Sequence, residues 1–261
     1  PSCVRAINNL GIEYYNRKNY ETAKSLYQKA IQLQPAYEKA YYNLGNVYKE
    51  EKDYERALAM YEKTAELNPG NSRNFINLGN AYAMQKKFPE AIKAYWRALE
   101  EKPNYAEAYN NLGNVYRSLQ DYDQAIALYE KALTLNRGYI DAYYNLADTY
   151  GMLKRHEQSL EVLLRATSAI RFLPAAFYRL GSAYEKTSQY DKAIEAYEKA
   201  LQLDPGYAEA RLNLASLYMG KVKDTKRALY HLRAVLEKEP QHPQAERIKE
   251  VIRTLEMEKA G

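Results

Sequence analysis

The side chains best suited to chemistry are few and scattered in this chain. Its three histidines, His156, His231 and His242, stand far apart, and no cysteine or carboxylate set joins them at metal-ligand spacing. His156–Glu157 begins like the helix of a zinc protease but lacks a second histidine four residues on. The lone cysteine, Cys3, excludes an internal disulfide and a cysteine-based zinc site. A glycine-rich phosphate loop and a nucleophile elbow are both missing. The sequence therefore reads as non-enzymatic, with no cofactor and no metal. The polar residue that does recur is asparagine. It precedes a Leu-Gly or Leu-Ala pair at Asn9, Asn43, Asn77, Asn111, Asn145 and Asn213, with Arg179 in the remaining place, and it follows the pair at Asn46, Asn80 and Asn114. An amide offers donors and an acceptor together, so it can pair with the C=O and N–H of an extended backbone without reading the side chains. Asparagine is also a mediocre helix former, so a helical scaffold does not itself ask for it.

Composition narrows the class. There are 28 Tyr against 4 Phe and 1 Trp, and only 9 Pro and 11 Gly, which favours helices with short punctuation. The 38 basic and 33 acidic residues are interspersed, leaving a net charge of +5. That is a solvated surface rather than the concentrated basic stripe that phosphate neutralisation needs, so nucleic acid is not expected as a partner. No apolar run is long enough to span a bilayer, and direct membrane insertion is not expected either. Pro1–Ser2–Cys3 reads as a frayed end with a free thiol or as the remnant of a lipoprotein cleavage site. The chain starts without Met, so localisation stays open: cytoplasm is favoured, with a periplasmic or membrane-tethered place if an upstream signal was removed.

The asparagines are positioned by a repeat. The Leu-Gly or Leu-Ala pair occurs at Leu10, Leu44, Leu78, Leu112, Leu146, Leu180 and Leu214, in steps of 34 residues. Tyrosine follows at Tyr14, Tyr48, Tyr82, Tyr116, Tyr150, Tyr184 and Tyr218, then a small residue at Ala23, Ala57, Ala91, Ala125, Ser159 and Ala193, with Ala228 displaced by one insertion. A bulky residue comes four later, and most units end at proline: Pro35, Pro69, Pro103, Pro205 and Pro240. Gly or Ala beside Leu is expected to let the second helix's Ala approach the first helix, with aromatics filling the gaps. Proline ends the second helix because it lacks the N–H and disfavours helix before it. One hairpin cannot bury its apolar face alone, so neighbours must stack.

This spacing resembles the tetratricopeptide repeat (TPR), over residues 4–242. The expected fold is all-α: a right-handed superhelical α-solenoid of helix–turn–helix repeats with a C-terminal capping helix. Within 1–242 the units are 4–37, 38–71, 72–105, 106–139, 140–173, 174–207 and 208–242. The cap is 243–258, where Ala245, Ile248, Val251, Ile252 and Leu255 share one helical face. The resemblance implies that first helices line a concave groove and that the residue before Leu-Gly faces it. The asparagine row is similar to the ladder of the O-linked N-acetylglucosamine transferase superhelix. It also resembles one arm of the two-carboxylate clamp of co-chaperones, but only Asn114, Asn145 and Arg179 fit. Asn110 and Ala175 stand where that clamp has lysines, so chaperone-tail binding is not expected.

Two further features map to the same wall. Most tyrosines belong to the packing pattern; Tyr15, Tyr42, Tyr144 and Tyr178 do not, and they fall on the groove side, while Tyr230 does not. Tyrosine supplies large contact area at little entropic cost. The second position of each unit reads Arg5, Lys39 and Arg73, then Glu107, Asp141, Ala175 and Glu209. That polarity would orient an extended ligand with one acidic end, through Lys39 and Arg73 in particular. The alternative for the whole row is a consensus feature bonding neighbouring helices or water. The fifth unit departs most, with Ala147, Ser159, Leu163 and Arg171 at pattern positions and an apolar run at 169–173; degenerate packing, a bend or an oligomer contact would each account for it. The expected function is a scaffold binding a protein or peptide segment. The rivals are a self-assembling homo-oligomer and the regulatory segment of a larger enzyme.

Overall fold

A computed structural model describes residues 2–260, with side chains for 3–257; Pro1, the first residue of the lipoprotein-like triplet, lies outside the described residues. Among the described residues there are fifteen α-helices, one π-helical turn and no strand. The chain forms two compact units, residues 1–136 and 137–261. The first holds α1 (Ser2–Asn16), α2 (Tyr20–Leu33), α3 (Glu38–Glu50), α4 (Tyr54–Leu67), α5 (Ser72–Met84), α6 (Phe88–Glu101), α7 (Ala106–Ser118) and α8 (Tyr122–Leu135). The second holds α9 (Ile140–Met152), α10 (His156–Ala169), α11 (Pro174–Lys186), α12 (Tyr190–Leu203), α13 (Ala208–Leu217), the π-turn (Tyr218–Val222), α14 (Thr225–Lys238) and α15 (Ala245–Ala260). Within each unit every helix packs on the next, and α1 also meets α3 as α5 meets α7, so first helices share one face. This is the α-solenoid arrangement.

The turn inside each hairpin is one device repeated. Lys18, Lys52, Lys86, Gln120, Lys154, Ser188 and Lys223 adopt the left-handed region, with φ near +60°. The next N–H then reaches back to a tyrosine carbonyl: Asn19 to Tyr14 at 2.9 Å, Asp53 to Tyr48 at 2.8 Å, Lys87 to Tyr82 at 2.9 Å. This closes the first helix as a Schellman motif. The same Asn19 and Asp53, and later Asp121 and Asp224, cap the following helix through their side chains. In the seventh hairpin Asp224 N–H still reaches Tyr218 at 2.8 Å, one residue further along. The inserted residue is absorbed by the π-helical turn, so the tyrosine anchor keeps its place.

Second helices end in extended residues before proline, as at Gln34, Asn68, Lys102 and Asp204. Asn136 and Ile170 adopt the same shape before arginine. Cores of Ala, Leu, Val and Tyr run between consecutive helices in each unit. Leu44, Leu78, Leu112, Leu146, Leu180 and Leu214 are buried, whereas Leu10, on the first described helix, is 48 % exposed. At the other end Ile248, Val251, Ile252 and Leu255 of α15 pack on Leu232, Val235 and Leu236.

Candidate functional site

Packing explains the Leu-Gly pair differently from the sequence expectation. The glycine makes room for a tyrosine ring of the second helix, not for its alanine. A Cβ added to Gly11, Gly45, Gly79, Gly113 or Gly181 would sit 2.5–2.9 Å from the Cε1 of Tyr27, Tyr61, Tyr95, Tyr129 or Tyr197. Each of these rings is almost fully buried. Where the ring is replaced by Leu163 or Leu232, the facing residue is Ala147 or Ala215. Burial raises the phenol pKa: to about 12 for Tyr27, with Tyr61, Tyr95 and Tyr197 raised as well.

A buried hydroxyl needs a partner, and in the second, third and fourth hairpins the asparagine after the glycine supplies it. Tyr61 donates to Asn46 Oδ1 at 2.7 Å, Tyr95 to Asn80 Oδ1 at 2.7 Å, and Tyr129 to Asn114 Oδ1 at 2.8 Å. The asparagine before Leu-Gly then ties one hairpin to its neighbour. Asn111 Nδ2 donates to Asn80 Oδ1 at 3.0 Å, and Asn43 Nδ2 to the buried Asn8 Oδ1 at 2.9 Å. Asn77 breaks the series: its Nδ2 is buried without a hydrogen-bond partner. Asn9 is exposed on α1.

In the first unit these residues meet at one cavity of about 480 Å³. Asn46, Asn77, Asn80, Asn111 and Asn114 line it from three successive first helices, together with Tyr42, Met84 and Phe88. Lys49, 3.5 Å from Glu50, is its one charged lining residue. Tyr42 stacks obliquely on Tyr61, with centroids 6.0 Å apart, and Tyr15 on Tyr20 at 5.7 Å. Lys39 and Arg73 are exposed on α3 and α5 and do not line the cavity.

The second unit arranges its wall around a cation. The Arg179 guanidinium lies 4.2 Å from the Tyr144 ring centroid and donates to Asp148 Oδ1 at 2.9 Å. Tyr144 is raised to about 12, chiefly by burial, and its hydroxyl is buried without a partner. Tyr178 packs between Tyr197 and Tyr207, at 5.7 and 5.3 Å. With Ser182 in the asparagine position, Tyr197 donates to Glu185 instead and accepts from Asn213 Nδ2 at 2.9 Å. Asn145, half-buried on α9, belongs to this wall too.

Two buried polar clusters were not singled out by the sequence reading. Asn74 occupies an alanine position and donates to the carbonyls of Thr64 and Asn68 at 3.3 and 3.4 Å. His231 is buried against Tyr218, stacked at 5.8 Å, and burial with Arg211 and Arg227 nearby lowers it to about 4. The missed signal was the alignment of the repeats, since Thr64 and Asn74 both interrupt columns of alanine. Among the described residues no group of three or more His, Cys, Asp or Glu side chains is placed to hold a metal ion, and no helix is long and apolar enough to cross a membrane.

Comparison with known proteins agrees with this architecture. Tetratricopeptide-repeat family models match residues 38–71, 106–139 and 174–207, residues 11–52 and 79–120, and residues 128–161. A sequence search of curated proteins finds no match. Among solved structures, MamA of Desulfovibrio magneticus RS-1 is 26 % identical with a TM-score of 0.55, covering 66 % of this chain and 97 % of its own. PilF of Pseudomonas aeruginosa shares the fold at 23 % identity and a TM-score of 0.63, over 80 % of this chain and 96 % of its own. YrrB, described as a TPR protein with an unusual peptide-binding site, is similar at 24 % identity and a TM-score of 0.50, over 70 % and 95 %. With its hairpins, its Gly–Tyr packing and these matches in register, the chain belongs to the tetratricopeptide repeat family of protein–protein interaction scaffolds.

Proposed function

We propose that the chain binds an extended segment of a partner protein along the wall of its first helices, with the first-unit cavity as the principal subsite. The observation that carries this reading is Asn77. Its Nδ2 makes no internal bond and is covered in the free chain, so it pairs once a ligand parts the side chains over it in the cavity that it lines with Asn46, Asn80, Asn111 and Asn114. Because the Oδ1 atoms of Asn46, Asn80 and Asn114 already accept from tyrosines, the amide N–H groups are what a ligand carbonyl addresses. Met84, Phe88 and Tyr42 supply apolar area for one side chain of the ligand. Lys39 and Arg73, exposed on α3 and α5, would favour ligands carrying acid at that end. In the second unit, Tyr144, Arg179 and Tyr178 offer a ligand segment aromatic faces and a half-exposed guanidinium.

Random peptides displayed on phage and panned against the full chain test this. One class of clones that bind wild type should lose binding to Asn77→Ala and Met84→Ser proteins, and the loss is read as lost contact because neither change removes an internal hydrogen bond. Undiminished binding to both variants by every enriched clone contradicts the reading.

A further inference from the structure

The turn joining α10 to α11, Ile170–Arg171–Phe172–Leu173, carries a residue that the repeat does not need. At the place of Phe172 the other hairpins have Ala36, Gly70, Asn104, Gly138, Gly206 and Gln241. Phe172 is 85 % exposed, the most exposed of the chain's large hydrophobic residues among those described. The turn forms without it: Ile170 N–H reaches Ala166 O at 2.8 Å and Ala176 N–H reaches Leu173 O at 3.1 Å. At the preceding position, where five hairpins place proline, stands Arg171.

A cavity of about 440 Å³ opens beside this aromatic, lined by Thr167, Ser168, Arg171, Phe172, Phe177 and Lys199. Phe177 is half-buried in the core between α11, α12 and α13 and forms an apolar floor. Two hydroxyl residues and two cations complete the lining, and none of the six carries a carboxylate. None of them belongs to the asparagine row or the first-unit cavity. We propose that this cavity is a second docking site, taking an acidic segment of a protein partner. An apolar side chain of that segment lies between Phe172 and Phe177, and a neighbouring carboxylate meets Arg171 and Lys199.

The physics favours that occupant. An exposed phenylalanine at a turn contributes nothing to folding, but supplies contact area at small entropic cost once covered. The arginine fork matches a carboxylate in two-point geometry, and Lys199 adds a point charge beside it. A second copy of this chain is the weaker candidate, because it brings a net charge of +5 to a basic rim.

The same phage library, panned against the full chain, separates this site from the first-helix wall. Enriched clones should include a class pairing Asp or Glu with a bulky apolar residue. By fluorescence anisotropy, synthetic peptides of that class should bind Phe172→Ala and Arg171→Glu proteins at least ~10-fold more weakly, the scale of one interface anchor. The Arg171→Glu loss should shrink as salt rises, and Asn77→Ala should leave this class unaffected. Phe172 is exposed, so its variant should melt at the wild-type temperature. The proposal is overturned if no acidic–apolar class is enriched, or if that class loses affinity with Asn77→Ala and not with Phe172→Ala. It is also overturned if light scattering shows a mass that grows with concentration and returns to monomer with Phe172→Ala.

Discussion

The third hairpin, α5–α6, and the fifth, α9–α10, fill the same interior with different residues. In the third, Gly79 leaves space for the Tyr95 ring, and Asn80 accepts the buried hydroxyl and a second bond from Asn111. In the fifth, Leu163 replaces the ring, Ala147 replaces the glycine, and Asp148 stands in the asparagine place. With no tyrosine hydroxyl to accept, Asp148 is exposed and pairs with Arg179, while Ser159 Oγ donates to the Ala147 carbonyl at 2.9 Å. The three substitutions are therefore one change. The ring requires the glycine, and in the third hairpin its hydroxyl also uses the asparagine, so its removal frees both positions for other uses. The fifth hairpin is not a degraded copy of the third but a second consistent solution.

That comparison can be broken most sharply at the glycine. Gly79→Ala places a Cβ 2.5 Å from Tyr95 and should cost about 3 kcal/mol, the upper range for overpacking. Adding Tyr95→Leu should recover at least ~1 kcal/mol of it, a coupling typical of residues in contact. Ala147→Gly should cost only about 1 kcal/mol, the helix penalty of glycine. Urea unfolding of wild type, Gly79→Ala, Tyr95→Leu and the double variant reads the cycle; strict additivity would show that ring and glycine are independent.

The seventh hairpin shares the Ala–Leu solution of the fifth but buries His231, whose pKa falls to about 4 in the fold from an ordinary value of 6.5. As pH falls the unfolded chain takes up the proton first. Stability from this site is complete above 6.5 and is lost between 6.5 and about 4, by on the order of 3 kcal/mol. His231→Phe should flatten that part of the stability–pH curve, and parallel curves for variant and wild type would show that the histidine does not set it.

Asparagine and aspartate at the shared position should differ next. Asn80→Ala strands the Tyr95 hydroxyl and should cost ~1–3 kcal/mol, whereas Asp148→Ala removes a half-exposed ion pair worth under about 1 kcal/mol. Equal losses of melting temperature would erase the distinction. The smallest expected effect is one on which the two hairpins agree. Lys86 and Lys154 both hold the left-handed turn position, so changing either to Gly should stabilise by about 0.5–1 kcal/mol. Unequal shifts would show that the turn, too, had diverged.

Much of this was written in the sequence. The 34-residue step, the proline stops and the tyrosine anchors place the helices because each acts through local backbone chemistry. The role of glycine is hidden from spacing, which does not say which residue of the facing helix comes closest. The link between Asn46, Asn80 or Asn114 and a tyrosine fifteen residues on was only half legible: both change at Asp148 and Leu163, but Tyr27 and Tyr197 remain where Ile12 and Ser182 replace the asparagine. The inserted residue before Ala228 was visible, but its absorption into a π-turn follows from keeping the Tyr218 carbonyl bonded. Asn77 could not be told from Asn111 by sequence, because the difference lies in whether an amide reaches its neighbour.

That difference is the most direct test. Melting temperature and peptide affinity should be measured together for Asn77→Ala and Asn80→Ala, using a peptide selected by panning on the wild-type chain. Asn77→Ala is expected to keep the wild-type melting temperature and lose affinity, while Asn80→Ala loses melting temperature. An Asn77→Ala protein that melts early and binds the wall-selected peptides as wild type does would contradict the assignment of that amide to a ligand.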